Sequence, residues 1–95
     1  MQELPDAGRA TPTADEGRRR AAWDRLVRRF APYVHTTATR SYALPEREAE
    51  DVFQEVFVKT WVRLGELATD DDVERYIVEA TRQAAESRGA PLLRR

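Results

Sequence analysis

Residues 45–65, PEREAEDVFQEVFVKTWVRLG, form the longest stretch with uninterrupted helical periodicity, and both ends carry termination signals. Pro45 suits the first helical position, where its missing N–H would have no intrahelical partner. Glu46, Glu48, Glu50 and Asp51 place negative charge at the positive end of the helix dipole; Lys59 and Arg63 fall near the other end. Gly65 suits the left-handed position just past the last turn. At about 100° per residue, Val52, Phe53, Val56, Phe57, Thr60 and Leu64 share one side, which predicts a core face. Asp51, Gln54, Glu55, Val58 and Val62 share the opposite side. A helix facing only water has no need of valines there. They mark either a docking surface or a neighbouring segment packed over them.

The rest of the chain limits what can surround this helix. Ninety-five residues make one small domain. A hydrophobic share of 41%, a charged share of 35% and a mean hydropathy of −0.70 fit a helical module. No apolar run approaches the roughly 20 residues a spanning helix needs, nothing resembles a signal peptide, and no membrane insertion is expected. With no cysteine there is neither a disulfide framework nor a thiolate metal site, and a cytoplasmic protein is the expectation. Lys59 is the sole lysine among the basic residues and alanine is abundant, a bias that points to a GC-rich bacterial genome. The net charge of −1 creates no global positive field, but the charge is patterned. Arg18, Arg19, Arg20, Arg25, Arg28 and Arg29 make the first helix basic, and Asp70, Asp71 and Asp72 make a loop acidic.

The segment 1–14 holds two prolines, a glycine and few large apolar residues, which predicts a disordered tail. The domain proper spans 15–89, and 90–95 (APLLRR) reads as the start of a linker or a C-terminal tail. A first helix is expected from Asp15 to Phe30 on the stripe Trp23, Leu26, Val27 and Phe30. Pro32 predicts a break or kink there. A second helix follows with Val34, Thr37, Ala38 and Tyr42 inward, and Ser41 to Leu44 connect it to Pro45. After the central helix, Glu66 to Asp72 form a loop in which one aspartate caps the last helix, 73–88. Val73, Ile77, Ala80 and Ala84 form its inner face, and Gly89 and Pro91 stop it. No strand pattern or repeat occurs. The expected fold is all-α, a compact bundle of about four helices, with Trp23, Phe30, Phe53, Phe57 and Trp61 supplying most of the core.

Catalytic constellations are nearly absent. His35 is the single histidine, no glycine-rich phosphate loop occurs, and the carboxylates of the central helix are explained by its dipole. No enzyme activity, catalytic residue, metal site or cofactor is expected, and nothing calls for a homo-oligomer. Binding remains. The outward face of the central helix suits a partner offering arginines around an apolar groove, with Gln54 adding a directional hydrogen bond. Arg75, Tyr76, Arg82, Gln83 and Arg88 on the last helix could stack on an unpaired base and hold phosphates. Tyr76 equally fits the core beside Ile77, and the arginines equally fit solvated pairs with Glu79 and Glu86.

The run AEDVFQEVFVKTWVRL (49–64) resembles the signature helix of region 2 in extracytoplasmic-function (ECF) sigma factors: Ala-Glu-Asp, two residues, Gln-Glu-hydrophobic-Phe, then a nearby Trp. WDRLVRRFAPYVHTTATR (23–40) resembles the first segment of that family, and VERYIVEATRQAAESR (73–88) occupies the place of its promoter-melting helix. The resemblance implies a helical domain that docks on the β′ clamp helices of core RNA polymerase and captures the promoter −10 element. Carried onto this chain, it directs Asp51, Gln54 and Glu55 at the clamp helices. Ala68, Thr69 and Asp70 would border the pocket for a base flipped from the non-template strand, a capture that offsets a few kcal/mol of unstacking. Tyr76-Ile77 and Thr81-Arg82-Gln83 stand where the family commonly shows Trp-Leu and Ala-Arg-Asn. An anti-sigma factor is a further partner implied by analogy. On its length the chain is either a fragment of a longer factor or a stand-alone domain, and the second reading is a stand-alone degenerate sigma-like interaction module or regulator that binds protein without opening DNA.

Overall fold

The computed structural model describes residues 14–89. Three helices fill this stretch: α1 (Ala14–Thr36), α2 (Glu46–Arg63) and α3 (Asp70–Glu86). The expected first and second helices are one element, because α1 runs through Pro32 without breaking. A proline inside a helix removes the bond to the carbonyl four residues back, here that of Arg28, and costs about 3 kcal/mol or more. Pro32 and Arg28 both lie on the exposed side, so that carbonyl can be hydrated. Phe30 and Val34, on either side of the proline, are buried and hold the helical register against the core.

The change of direction comes five residues later. Thr37–Ser41 form a π-helical turn, in which the Tyr42 N–H donates to Thr37 O (3.1 Å) and the Leu44 N–H to Ala38 O (3.0 Å). The wider turn swings both Tyr42 and Leu44 into the core, and Ala43 between them takes a left-handed φ of 54°. Pro45 is the residue before α2, one position earlier than expected.

The core face of α2 is Ala49, Val52, Val56, Phe57 and Thr60, with the Thr60 hydroxyl donating to Val56 O at 2.7 Å. Phe53 and Leu64 are half-buried. Gly65 does not adopt the left-handed conformation expected of it. It sits inside a short 3-10 turn, Leu64–Glu66, closed by the Leu67 N–H on Leu64 O (3.2 Å).

The start of α3 lies at Asp70, not residue 73, and its cap is Thr69, not an aspartate. Thr69 Oγ1 accepts from the Asp72 N–H (3.1 Å), while the Asp72 carboxylate accepts from the N–H groups of Thr69 (3.3 Å) and Ala68 (3.2 Å). This reciprocal capping box, with three aspartates favoured by the helix dipole, draws the expected loop into the helix. The inner face of α3 adds Thr81 and Ala85 to Val73, Ile77, Ala80 and Ala84. Its alanines let α2 and α3 pack as the closest pair; α1 packs on α2 and touches α3 only lightly.

The core differs from the expected aromatic one. Phe30 and Phe57 are buried, Trp23 and Phe53 are half-buried, and Trp61 is 52% exposed, meeting Trp23 edge-on with ring centres 5.0 Å apart. The fully buried side chains are Val34, Val52, Val56, Thr60, Ile77 and Thr81. The expected tail and linker lie outside the described residues apart from Ala14, which opens α1.

Candidate functional site

Two surfaces emerge from this packing. The first is the outward face of α2. Asp51, Gln54, Val58 and Val62 are exposed along about 16 Å of helix. Val58 and Val62 are 62% and 71% exposed, so among the described residues no segment covers them. Asp51 and Gln54 make no hydrogen bond or ion pair among the described residues, so their polar groups face solvent. Glu55 is different. Its carboxylate accepts from Lys59 Nζ (3.0 Å) and from Arg88 Nη1 (3.3 Å), which also donates to Ala84 O. The Lys59 hydrogen bond, with the help of Arg88, holds its pKa below the usual carboxylate value. Glu55 therefore ties the outward face of α2 to the end of α3.

The second surface is a cleft between α2 and α3 of about 350 Å³, into which Tyr76 and Gln83 project beside Lys59, Val62, Arg63 and Glu79. Tyr76 is half-buried, and its hydroxyl approaches Lys59 O at 3.5 Å, too long for a strong hydrogen bond. The ring packs against the core cluster while staying partly accessible, so the core reading of Tyr76 holds in part. On the far side of the ring lies a shallow hollow lined by Leu67, Asp72, Arg75, Val78 and Glu79.

The cations around this surface are engaged. Arg82 donates to both carboxylate oxygens of Glu79 and to Glu86 Oε1 (2.8 Å), and Gln83 Nε2 donates to Glu79 Oε2 (2.9 Å). These bonds lower the Glu79 pKa and raise that of Arg82. Arg75 lies 3.8 Å from Asp72 and Arg63 3.3 Å from Glu66. The solvated pairs with Glu79 and Glu86 thus describe Arg82; Arg75 pairs with Asp72 instead, and Arg88 pairs across elements with Glu55.

The structure brings Tyr76 and Gln83 together in one cleft with Val62, and sets Arg75 in the neighbouring hollow. Ala68, Thr69 and Asp70 are exposed at the start of α3, but the Thr69 hydroxyl is occupied as a cap. Sequence reasoning missed Lys59, Arg63 and Glu79 as cleft residues. The spacings of four between Lys59 and Arg63 and between Glu79 and Gln83 were the available signal. His35 is exposed and lies 3.2 Å from Glu46, and no metal-holding cluster occurs among the described residues. Nor is any described helix long and apolar enough to cross a membrane.

Residues 26–88 match the family model of sigma-70 region 2, which covers the second half of α1 and all of α2 and α3; the chain belongs to that family. Membership carries the general role of region 2, RNA polymerase binding and promoter −10 recognition in transcription initiation, and this is not an enzyme family. Neither the curated proteins nor the solved structures provide a significant match.

Proposed function

We propose that the chain is region 2 of an ECF-type bacterial sigma factor acting in the cytoplasm. It docks on the β′ clamp helices through Asp51, Gln54, Val58 and Val62, with Glu55 bracing this face from α3. The exposure of two valines beside two unpartnered polar side chains carries the reading, because that pairing matches an interface and not a solvated helix face. Binding to a β′ clamp-helix fragment tests it. Tight binding by the wild type and its loss in Asp51→Ala/Gln54→Ala support the docking face; no binding by the folded wild type removes it.

On the DNA side, Tyr76 and Gln83 receive an unstacked base of the non-template −10 strand, with Arg75, Arg82 and the Ala68–Asp70 segment along the backbone path. A second reading, a sigma-like regulator that occupies the clamp without melting DNA, is favoured by one observation: Glu79 and Glu86 already neutralise Arg82. The two separate by titration with single-stranded −10 DNA at several salt concentrations. Melting predicts preference for the non-template strand, salt-weakened and reduced by Tyr76→Ala. An anti-sigma factor covering the same faces is a further partner within this proposal.

A further inference from the structure

A second groove lies on the α1 side of the molecule, sharing only Leu67 with the hollow beside Tyr76 and Asp70 with the segment at the start of α3. Because α1 leans on α2 and meets α3 only lightly, an opening of about 510 Å³ remains between the middle of α1, the turn after α2 and the start of α3. That volume falls within the range of about 300–1,000 Å³ typical of binding clefts. Its apolar lining comes from three elements: Leu26 and Phe30 from α1, Leu64 and Leu67 from the turn, and Val73 from α3. Trp23, held edge-on against Phe57 (6.2 Å) and Trp61 (5.0 Å), forms a rigid aromatic wall.

The two rims differ in charge. On the α1 side stand Arg25 and Arg29. Arg25 is exposed and makes no ion pair among the described residues, while Arg29 reaches Glu74 of α3 only at 3.7 Å and lies over the Phe30 ring. The opposite rim begins with Asp70. α1 as a whole sets six arginines against Asp15, Glu16 and Asp24, so the positive field extends along this rim.

The walls offer mainly side chains, because the backbone groups of α1 and α3, the Arg28 carbonyl and the first N–H groups of α3 apart, are spent on helical bonds. An extended segment entering the groove would leave its own backbone unpaired, whereas a helix brings its backbone already satisfied. We propose that this groove is a docking site for an amphipathic helix of another polypeptide, with an apolar stripe on the floor and carboxylates along the flank facing Arg25 and Arg29. Charge complementarity selects the occupant, and the site uses none of the residues of the α2 face or the Tyr76 cleft.

The test uses the full chain and two synthetic helical peptides, both with leucines at i, i+3, i+4 and i+7. One carries Glu along a single flank and Gln along the other; its twin carries Lys in place of Glu. Anisotropy titrations at low salt are expected to show the Glu peptide binding at least tenfold tighter than the Lys peptide. Arg25→Glu/Arg29→Glu is expected to invert that order, with circular dichroism confirming helicity. Arg25→Glu alone, which breaks no internal pair, is expected to cut the preference severalfold and serves if the double variant unfolds. Equal binding of the two peptides, no binding by the folded chain, or a preference untouched by Arg25→Glu overturns the proposal. So does equally effective displacement of the Glu peptide by duplex DNA, which would make the rim a phosphate surface, or by a clamp-helix fragment, which would place the peptide on α2.

Discussion

The outward faces of α2 and α3 treat their polar groups in opposite ways. On α2, Asp51 and Gln54 point to solvent beside two bare valines, with no internal partner among the described residues. On α3, each cation is held by a carboxylate of its own helix: Arg75 by Asp72, and Arg82 by Glu79 and Glu86. A protein partner meeting α2 need displace little besides water. A phosphate meeting α3 must first compete with carboxylates, and Asp70, Asp71, Asp72 and Glu74 add repulsion. The difference teaches that two candidate binding surfaces of one small domain can start from unequal readiness, one open and one self-paired.

The strongest way to break this comparison is to remove the apolar element of α2. Val58→Asp/Val62→Asp is expected to weaken clamp-helix binding by 2 kcal/mol or more, on the scale of interface hot spots. Because both side chains face solvent, the melting temperature should stay nearly unchanged. Isothermal titration calorimetry and a thermal melt measure the two effects, and a large loss of stability would return the valines to the core.

A smaller effect is expected at the start of α3. Thr69→Ala removes one half of the capping box and is expected to cost about 1 kcal/mol, read as a lower urea midpoint with unchanged slope. Thr69→Ser should recover most of it. If Thr69→Ala leaves the midpoint unmoved, the three aspartates alone hold the helix start.

The self-pairing of α3 is tested by Glu79→Gln. Releasing Arg82 and Gln83 from this carboxylate is expected to raise affinity for single-stranded −10 DNA about threefold to tenfold at low salt, with the gain shrinking as salt rises. An unchanged affinity would mean that the pairs on α3 do not compete with DNA.

The smallest effect lies at the strut joining the two faces. The Glu55 pKa is lowered from its ordinary value of 4.5 by Lys59 and Arg88, so its contribution is fully present above that value and is lost as pH falls through the lower folded value. Its carboxylate is about a third exposed, so the contribution is expected to be under about 1 kcal/mol. Comparing the acid limb of the stability curve between wild type and Glu55→Gln measures it, and a shallower limb in the variant is the expected sign.

Much of the fold was legible because periodicity reports burial directly. The stripes of α2 and α3 read from spacing are the faces that pack, and Val58 and Val62 stood out as apolar residues on the wrong side. Pro32 misled because local rules count a lost hydrogen bond, while the buried residues flanking it and the hydrated side on which it falls decide whether the helix survives. The α3 start was placed late for a related reason: three aspartates read as a loop, although Thr69 three residues before Asp72 is the pattern of a capping box. The aromatic core was overestimated because hydrophobic bulk does not specify which face turns outward, and Trp61 ends at the rim of the bundle.

By itself, then, the sequence determined the helical class, the inner faces of α2 and α3 and the family motif, since each depends on contacts within a few residues along the chain; that Val58 and Val62 stay uncovered among the described residues was settled by the structure. The tertiary structure decided what depends on residues far apart. It drew Glu55 into a strut with Arg88, set Tyr76 and Gln83 beside Lys59 in one cleft, and left a groove edged by arginines where α1 parts from α3. Those outcomes follow from how three helices share one small core, and the angle at which α1 rests on α2 is set by the summed packing of the three elements and encoded in no single stretch of sequence.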